Sequence, residues 1–332
     1  SDDRMRHAKS GNWWETAGHR ALANNSVSYT EKPDMETFLR EWTALVESKS
    51  GERGIFNRQA AQKQATKNNR RDPNWEFGTN PCSEIILRGP RIDLKTGQPI
   101  TGTGGQFCNL SEVVVRATDD IKSLSKKVKL ATIVGTVQSS LTKFPYLRKV
   151  WQNNTEEERL LGVSLTGIMD NPLLTAKNKG LSQTLDHLRH IAIDTNKEWA
   201  ERLGVQQSTA ITCVKPSGTV SQLVDSASGI HARHSQYYHR TVRGDNKDPI
   251  TQFMVDQGIP AEPCVMKPDT TTVFTFPIAS PKNAVTRNDM TAIEQLEMWL
   301  IYQRHWCEHK PSVTITVKDD EWMDVGAFVY KN

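Results

Sequence analysis

Apolar residues recur at helical spacing in three stretches of the chain. In "KPDMETFLREWTALVES" the series Met35, Phe38, Leu39, Trp42, Leu45 and Val46 marks one buried helix face, with Asp34 placed to cap it after Pro33. "LSQTLDHLRHIAIDTNKEWAERLG" repeats the pattern through Leu181, Leu185, Leu188, Ala192, Trp199 and Leu203, and Gly204 is a natural stop. A third helix is predicted over Met290 to His309, ended by Pro311. Between and after these lie short runs rich in β-formers: "FCNLSEVVV", "STAITCV" and "SVTITV". Helix alternating with strand predicts an α/β architecture with a largely parallel sheet, open or closed into a barrel. The Gly- and Pro-rich segment from Arg88 to Gln106 predicts an exposed loop or hairpin.

Composition narrows the class. The 332 residues are enough for one large α/β domain or two smaller ones, and the 36% hydrophobic and 24% charged content belongs to a folded, soluble protein. No apolar run reaches the length of a membrane span, and the polar start is not a signal peptide. The net charge of +4 is spread along the chain, with no basic stripe or nucleic-acid-binding module, so an anionic small molecule is a better partner than a nucleic acid. Five scattered cysteines without a CxxC pair fit a reducing, cytoplasmic compartment.

Three places could carry chemistry. In "TNPCSEII" an amide, a thiol and a carboxylate (Asn80, Cys82, Glu84) alternate within five positions. Pro81 disfavours helix there, and in an extended segment the three side chains would share one face. The carboxylate can take a proton, the amide can hold a hydroxyl, and the thiol can act as nucleophile or exchange a hydrogen atom. The bland reading is a buried cysteine beside a loop Asn and a strand-edge Glu. In "STAITCVKPSGTVSQLV" an apolar strand runs into Pro216, Ser217, Gly218 and Thr219 and then a helix start that includes Ser221, a setting suited to phosphate although no Walker A pattern is present. A plain strand–turn–helix with hydroxyl caps is the competing reading, and Lys215 either adds charge or is solvated. Cys108 lies on a predicted strand and can neighbour Cys82 if strand and loop meet; burial is the simplest role for it, and more so for Cys213, Cys264 and Cys307. His231, His234 and His239, and the His305/His309 pair expected on one helix face, match no zinc spacing, so no metal site is expected.

Taken together, "NPCSEI", "FCNLSEV" and "VKPSGTVSQLVDSASGIHARHSQYYHR", in this order, resemble the catalytic region of ribonucleotide reductase large chains. The resemblance runs from "GNWWE" and "RALANNSV" to "SVTITVKDDEWMDVGAFVYKN", and the NPC form of the loop is similar to the adenosylcobalamin-dependent (class II) branch. It implies part of a ten-stranded α/β barrel over residues 1–332, with a central finger loop at about 77–88 and a phosphate loop at about 215–222. It implies radical reduction of ribonucleotides to deoxyribonucleotides for DNA synthesis. Cys82 would be the thiyl radical, Glu84 the base for the 3′-hydroxyl, Asn80 a holder of the sugar and Cys108 one of the redox cysteine pair. Pro216, Ser217, Gly218, Thr219 and Ser221 would receive the substrate phosphates. The implied partners are a ribonucleoside di- or triphosphate, adenosylcobalamin and a thioredoxin- or glutaredoxin-type reductant. The family's first redox cysteine, early barrel strands, specificity region and C-terminal reducing cysteines have no counterpart here. A fragment, a split gene or an intein-interrupted gene is therefore expected, inactive without its missing part. The alternatives are a non-catalytic nucleotide-binding module that keeps the phosphate loop, and a different thiol enzyme using Cys82 as nucleophile.

Overall fold

The computed structural model describes residues 2–21, 23–48, 51 and 53–332; Leu22, within the quoted Arg20–Val27 stretch, lies outside the described residues. Two short helices, α1 (Asp3–Arg6) and α2 (Trp13–Thr16), lead into β1 (Ser26–Tyr29), α3 (Met35–Ser48), β2 (Gly54–Asn57) and α4 (Arg58–Thr66). Next come the antiparallel strands β3 (Trp75–Thr79), β4 (Ile86–Ile92) and β5 (Pro99–Ile100), then β6 (Asn109–Val114), α5 (Ile121–Gln138), α6 (Lys149–Glu158) and β7 (Leu161–Thr166). The chain continues through α7 (Leu181–Leu203), α8 (Thr219–Leu223), β8 (Tyr237–Asp245), α9 (Pro249–Asp256), β9 (Ala261–Pro263), β10 (Thr271–Ala279), α10 (Ala292–His305) and α11 (Trp322–Lys331).

The helical periodicities are realised where they are strongest. Phe38 and Trp42 of α3 pack with Leu296 of α10 and Val325 of α11. Helix α7 buries Leu181, Leu185, Leu188 and Ala192 in the main core and stops at Gly204, whose φ of +66° is the left-handed cap that glycine tolerates best. Helix α10 is shorter than expected at both ends. Thr291 and Glu294 form a reciprocal capping box that sets its start. Its end is drawn away because the Glu308 and His309 N–H groups both donate to the Thr212 carbonyl.

The α/β expectation holds, but the described residues form no closed barrel: the sheets have two or three strands each. The parallel part is nevertheless continuous. Strand β6 pairs with β7, Val163 of β7 bridges Thr212, and Val214 bridges Pro311, all parallel, with α5 and α6, α7, and α10 on the connections. The "STAITCV" and "SVTITV" runs are thus extended neighbours in this layer order without full ladders. In the second of them, Thr314 N–H donates to the His231 ring and Thr316 N–H to the Gln295 side chain instead of to a strand. The segment from Arg88 to Gln106 is the expected hairpin, β4 returning through β5.

Candidate functional site

Strands β3 and β4 form a hairpin whose tip is Asn80–Ser83. The tip is a turn, not the extended segment expected from the alternation of its side chains. Ser83 N–H donates to the Asn80 carbonyl at 3.0 Å, Asn80 N–H to the Ile85 carbonyl at 3.3 Å, and Ile85 N–H to Asn80 Oδ1 at 3.0 Å. Pro81 sits where its fixed φ suits a turn, and Ser83 takes φ +63°. The consequence is a division of labour. Cys82 is exposed at the tip, against the bland expectation of burial, while Glu84 is turned under it and is 3% exposed. Glu84 Oε2 is buried without a hydrogen-bond partner among the described residues. An unpartnered buried carboxylate oxygen is costly, and this one is open to a hydrogen-bond donor. Asn80, with its oxygen engaged, retains its amide nitrogen as donor.

Of the three sequence-predicted loop residues, Glu84 is the one whose charge reaches both Cys82 and Cys108. Desolvation pushes the Cys82 thiol up and the Glu84 charge adds to it. Burial, partly opposed by the Arg71 charge and reinforced by Glu84, pushes Cys108 far up. Cys213, also buried, feels Cys307, Cys108 and Glu84 in turn. All are neutral thiols at neutral pH. Gly162 of β7 makes this close approach feasible, because a Cβ there would lie 2.4 Å from Leu110, 3.0 Å from Ile85 and 3.2 Å from Cys213 Sγ.

The hairpin is gripped at its base by partners that sequence reading missed. Arg71 makes two 2.9 Å bonds to the Glu158 carboxylate of α6 and donates to the Ile86 carbonyl at 2.8 Å. Gln106 Nε2 donates to the same carboxylate at 2.9 Å. His309 accepts the Ile86 N–H on Nδ1 at 3.3 Å, so Nε2 carries the proton and donates it to the Leu161 carbonyl at 3.0 Å. His305, expected to share a helix face with His309, instead pairs with Asp186 at 2.8 Å, because the helix ends between the two.

Burial, with the Arg71 charge behind it, lowers the His309 pKa from 6.5 to about 3. A histidine depressed in the folded state stabilises the fold above its unfolded pKa and loses that contribution as pH falls toward the folded value. We therefore expect acid to cost up to about 1.4 kcal/mol per pH unit from this group between pH 6.5 and about 3. Urea denaturation at several pH values should show His309→Gln with a lower stability at pH 7 and a shallower acid loss; parallel curves for the two proteins would refute the assignment.

At the phosphate-loop candidate, Ser217 is buried and its Oγ accepts the Ser221 N–H at 3.1 Å, while Ser221 Oγ donates to the Gly218 carbonyl at 2.9 Å. These hydroxyls shape the loop. The backbone N–H groups that open α8 and the exposed Thr219 remain on its outer side, after Pro216. Lys215 is neither free nor merely solvated: Nζ lies 3.2 Å from Glu112 Oε2 of β6. Downstream, His231 and Arg233 pack the loop, His231 through the Ser228 carbonyl and Thr314 N–H, and Arg233 through a bidentate pair with Asp170 at 2.8 Å. Cys213, Cys264 and Cys307 are buried. No group of three metal-ligating side chains occurs among the described residues, and no described helix is long and apolar enough to cross a membrane.

No protein-family model matches the chain. It is similar to proteins named adenosylcobalamin-dependent ribonucleoside-triphosphate reductase. The one from Lactobacillus gasseri is 27% identical over 347 residues, covering 94% of this chain and 43% of the relative. That from Lacticaseibacillus paracasei is 28% identical over 337 residues, 91% and 42%. That from Euglena gracilis is 33% identical over 172 residues, 50% and 23%. Among solved structures, a crystal structure of a B12-dependent (class II) ribonucleotide reductase superposes with a TM-score of 0.75 at 23% identity, over 99% of this chain and 47% of that one. The chain thus spans less than half the length of the relatives it matches.

Proposed function

We propose that this chain, a homologue of the adenosylcobalamin-dependent ribonucleotide reductases over a segment shorter than half their length, carries the radical loop that reduces a ribonucleoside triphosphate to its 2′-deoxy form. The observation that carries the reading is the turn at Asn80–Ser83, which leaves Cys82 exposed while Glu84, whose charge it feels, is buried with a carboxylate oxygen that has no partner among the described residues. A neutral thiol is the form that exchanges a hydrogen atom, and an acceptor-only carboxylate beside it is the form that takes a hydroxyl proton.

In this reading the thiyl form of Cys82 takes the 3′ hydrogen of the ribose, Glu84 accepts the 3′-hydroxyl proton, and the Asn80 amide nitrogen holds a sugar hydroxyl. The 2′-hydroxyl leaves as water. Two electrons and two protons come from a cysteine pair that becomes a disulfide, Cys108 being one member, and Cys82 returns its hydrogen to C3′, which regenerates its thiyl form. The disulfide is then reduced by a thioredoxin- or glutaredoxin-type dithiol. The N–H groups of Gly218, Thr219 and Val220, with the Thr219 hydroxyl, receive the phosphates, and Pro216, Ser217 and Ser221 hold the loop in shape. The residues at about 77–88 then act as a finger at the centre of a barrel of which the β6–β7 layer is part.

Adenosylcobalamin, when bound, supplies hydrogen-atom abstraction from a thiol. The structure fits that role, since Pro81 and Cys82 are exposed at the hairpin tip and are the residues such a group would face. The test is an assay of the full-length protein with a ribonucleoside triphosphate and a dithiol, with and without adenosylcobalamin. Deoxynucleotide is expected only with the cofactor. Product formed equally well without it would overturn the cofactor assignment, and no product under any condition would overturn the activity.

A further inference from the structure

The face of the parallel layer that meets the hairpin carries an ion pair that the reaction scheme above does not use. A Cβ on Gly162 would touch Leu110, Ile85 and Cys213 Sγ, so β6, β7 and the segment 210–214 present these side chains on one face, against which the hairpin packs. Side chains alternate along a strand, so the residues two further on return to that face. They are Glu112, Ser164 and Lys215. Glu112 pairs with Ser164 in the β6–β7 register, and Ser164 Oγ accepts the Lys215 N–H at 2.9 Å. Lys215 Nζ lies 3.2 Å from Glu112 Oε2, with the Glu112 side chain 7% exposed and that of Lys215 22%. The contact pairs charges without closing a hydrogen bond. Both Glu112 oxygens are buried with no hydrogen-bond partner among the described residues, so the Nζ protons stay available.

We propose that Lys215 is a substrate-binding residue: its ammonium contacts the first phosphate of the nucleotide, the one bonded to the sugar, and Glu112 is the positioning residue that holds it on this face. Place along the face decides which part of the ligand is met. One rung back lie Cys213 and Ile85, the latter next to Glu84 of the turn, and one residue on begins the proposed phosphate loop at Pro216. The pair thus stands between the sugar end and the phosphate end of the proposed site, where a nucleotide has its first phosphate. The lysine backbone is pinned there on both sides. Ser164 holds its N–H, and Gly229 closes on its carbonyl, where a Cβ would come within 2.6 Å. Glu112 offsets the cost of half-burying the ammonium, yet its own charge opposes an incoming phosphate. This inference rests on the nucleotide reading of the site.

Calorimetric titration of the full-length protein tests it, with a ribonucleoside monophosphate and a triphosphate as ligands for wild type, Lys215→Met, Glu112→Gln and the double variant. Lys215→Met should weaken both ligands by the same factor, roughly 10- to 100-fold, the scale of one charge-assisted hydrogen bond, because both carry the first phosphate. Glu112→Gln keeps the size of the side chain and removes the charge that competes for the ammonium, so it should bind both more tightly than wild type. The double variant should remain far weaker than wild type. An ion pair that only supports the fold gives another pattern: both single variants weaken binding, and the double variant, which strands no charge, recovers. That pattern overturns the proposal, as does Lys215→Met binding as tightly as wild type, and either leaves the nucleotide reading standing. A loss confined to the triphosphate overturns the assignment to the first phosphate. Wild type binding neither nucleotide overturns the nucleotide reading itself, and this contact with it.

Discussion

On the proposed function, Cys82→Ser is expected to lower turnover of the full-length protein by roughly 10⁴-fold or more, the scale of losing a group through which, in that reading, every cycle passes. A serine hydroxyl fits the same turn, because residue 82 is exposed and its side chain is not required to close the Asn80–Ser83 hydrogen bond. It holds its hydrogen too strongly to yield a radical of comparable reach. Nucleotide affinity should change little, since the proposed phosphate loop before α8 lies on another segment. Measuring kcat and equilibrium nucleotide binding on the same preparation gives a split that a misfolded variant would not show. The pKa argument separates hydrogen-atom chemistry from nucleophilic attack. A thiolate nucleophile calls for a depressed pKa beside a cation or a helix N-terminus, whereas desolvation and the Glu84 carboxylate both raise Cys82. Covalent trapping of Cys82 by an electrophilic substrate analogue at neutral pH would contradict this. Nucleotide binding in a protein whose turnover is absent and indifferent to Asn80, Cys82 and Glu84 would reduce it to a binding module.

How much of this was legible in the sequence depends on the distance over which each feature is decided. The helices at Met35–Ser48 and Leu181–Leu203 are local: their apolar spacing, the Asp34 side chain bonded to Thr37 N–H and the Gly204 stop all lie within the segment. The residue types of the loop were legible too, but their arrangement was not. Alternation suggested one face, and a turn closed by backbone bonds put Cys82 outside and Glu84 inside. The parallel neighbours of β7 were read as strands, yet their ladders depend on Ala210–Val214 and Lys310–Ser312 meeting across about 100 positions. His309 gave no local signal at all. Its partner Ile86 is more than 220 residues away, and "HWCEHK" read alone suggested a helix end with two histidines on one face.

Arg71→Ala should destabilise the protein at pH 7 by about 3–5 kcal/mol, because it leaves the Glu158 carboxylate buried without its bidentate partner. The same substitution at an exposed pair such as Arg202–Glu198, 2.7 Å apart on the surface of α7, should cost no more than about 0.5 kcal/mol. Burial alone would raise the Glu158 carboxyl; the Arg71 charge and hydrogen bonds, then Arg88 and Gln106, outweigh it and hold the group below its ordinary value. A carboxylate lowered in this way stabilises the fold above its unfolded pKa and loses that contribution as pH falls toward the folded one. The cost of Arg71→Ala should therefore shrink in acid, where the abandoned Glu158 can protonate and keep its bond from Gln106. Denaturant midpoints at pH 7 and pH 4 measure this directly, and a cost independent of pH would refute it. Arg71→Met with Glu158→Gln should recover much of the loss, since no charge is then stranded. Activity should not recover with it. The Ile86 carbonyl would still lack the Arg71 donor at 2.8 Å, and with it the contact that ties the base of the hairpin to α6 and aims the Asn80–Glu84 turn.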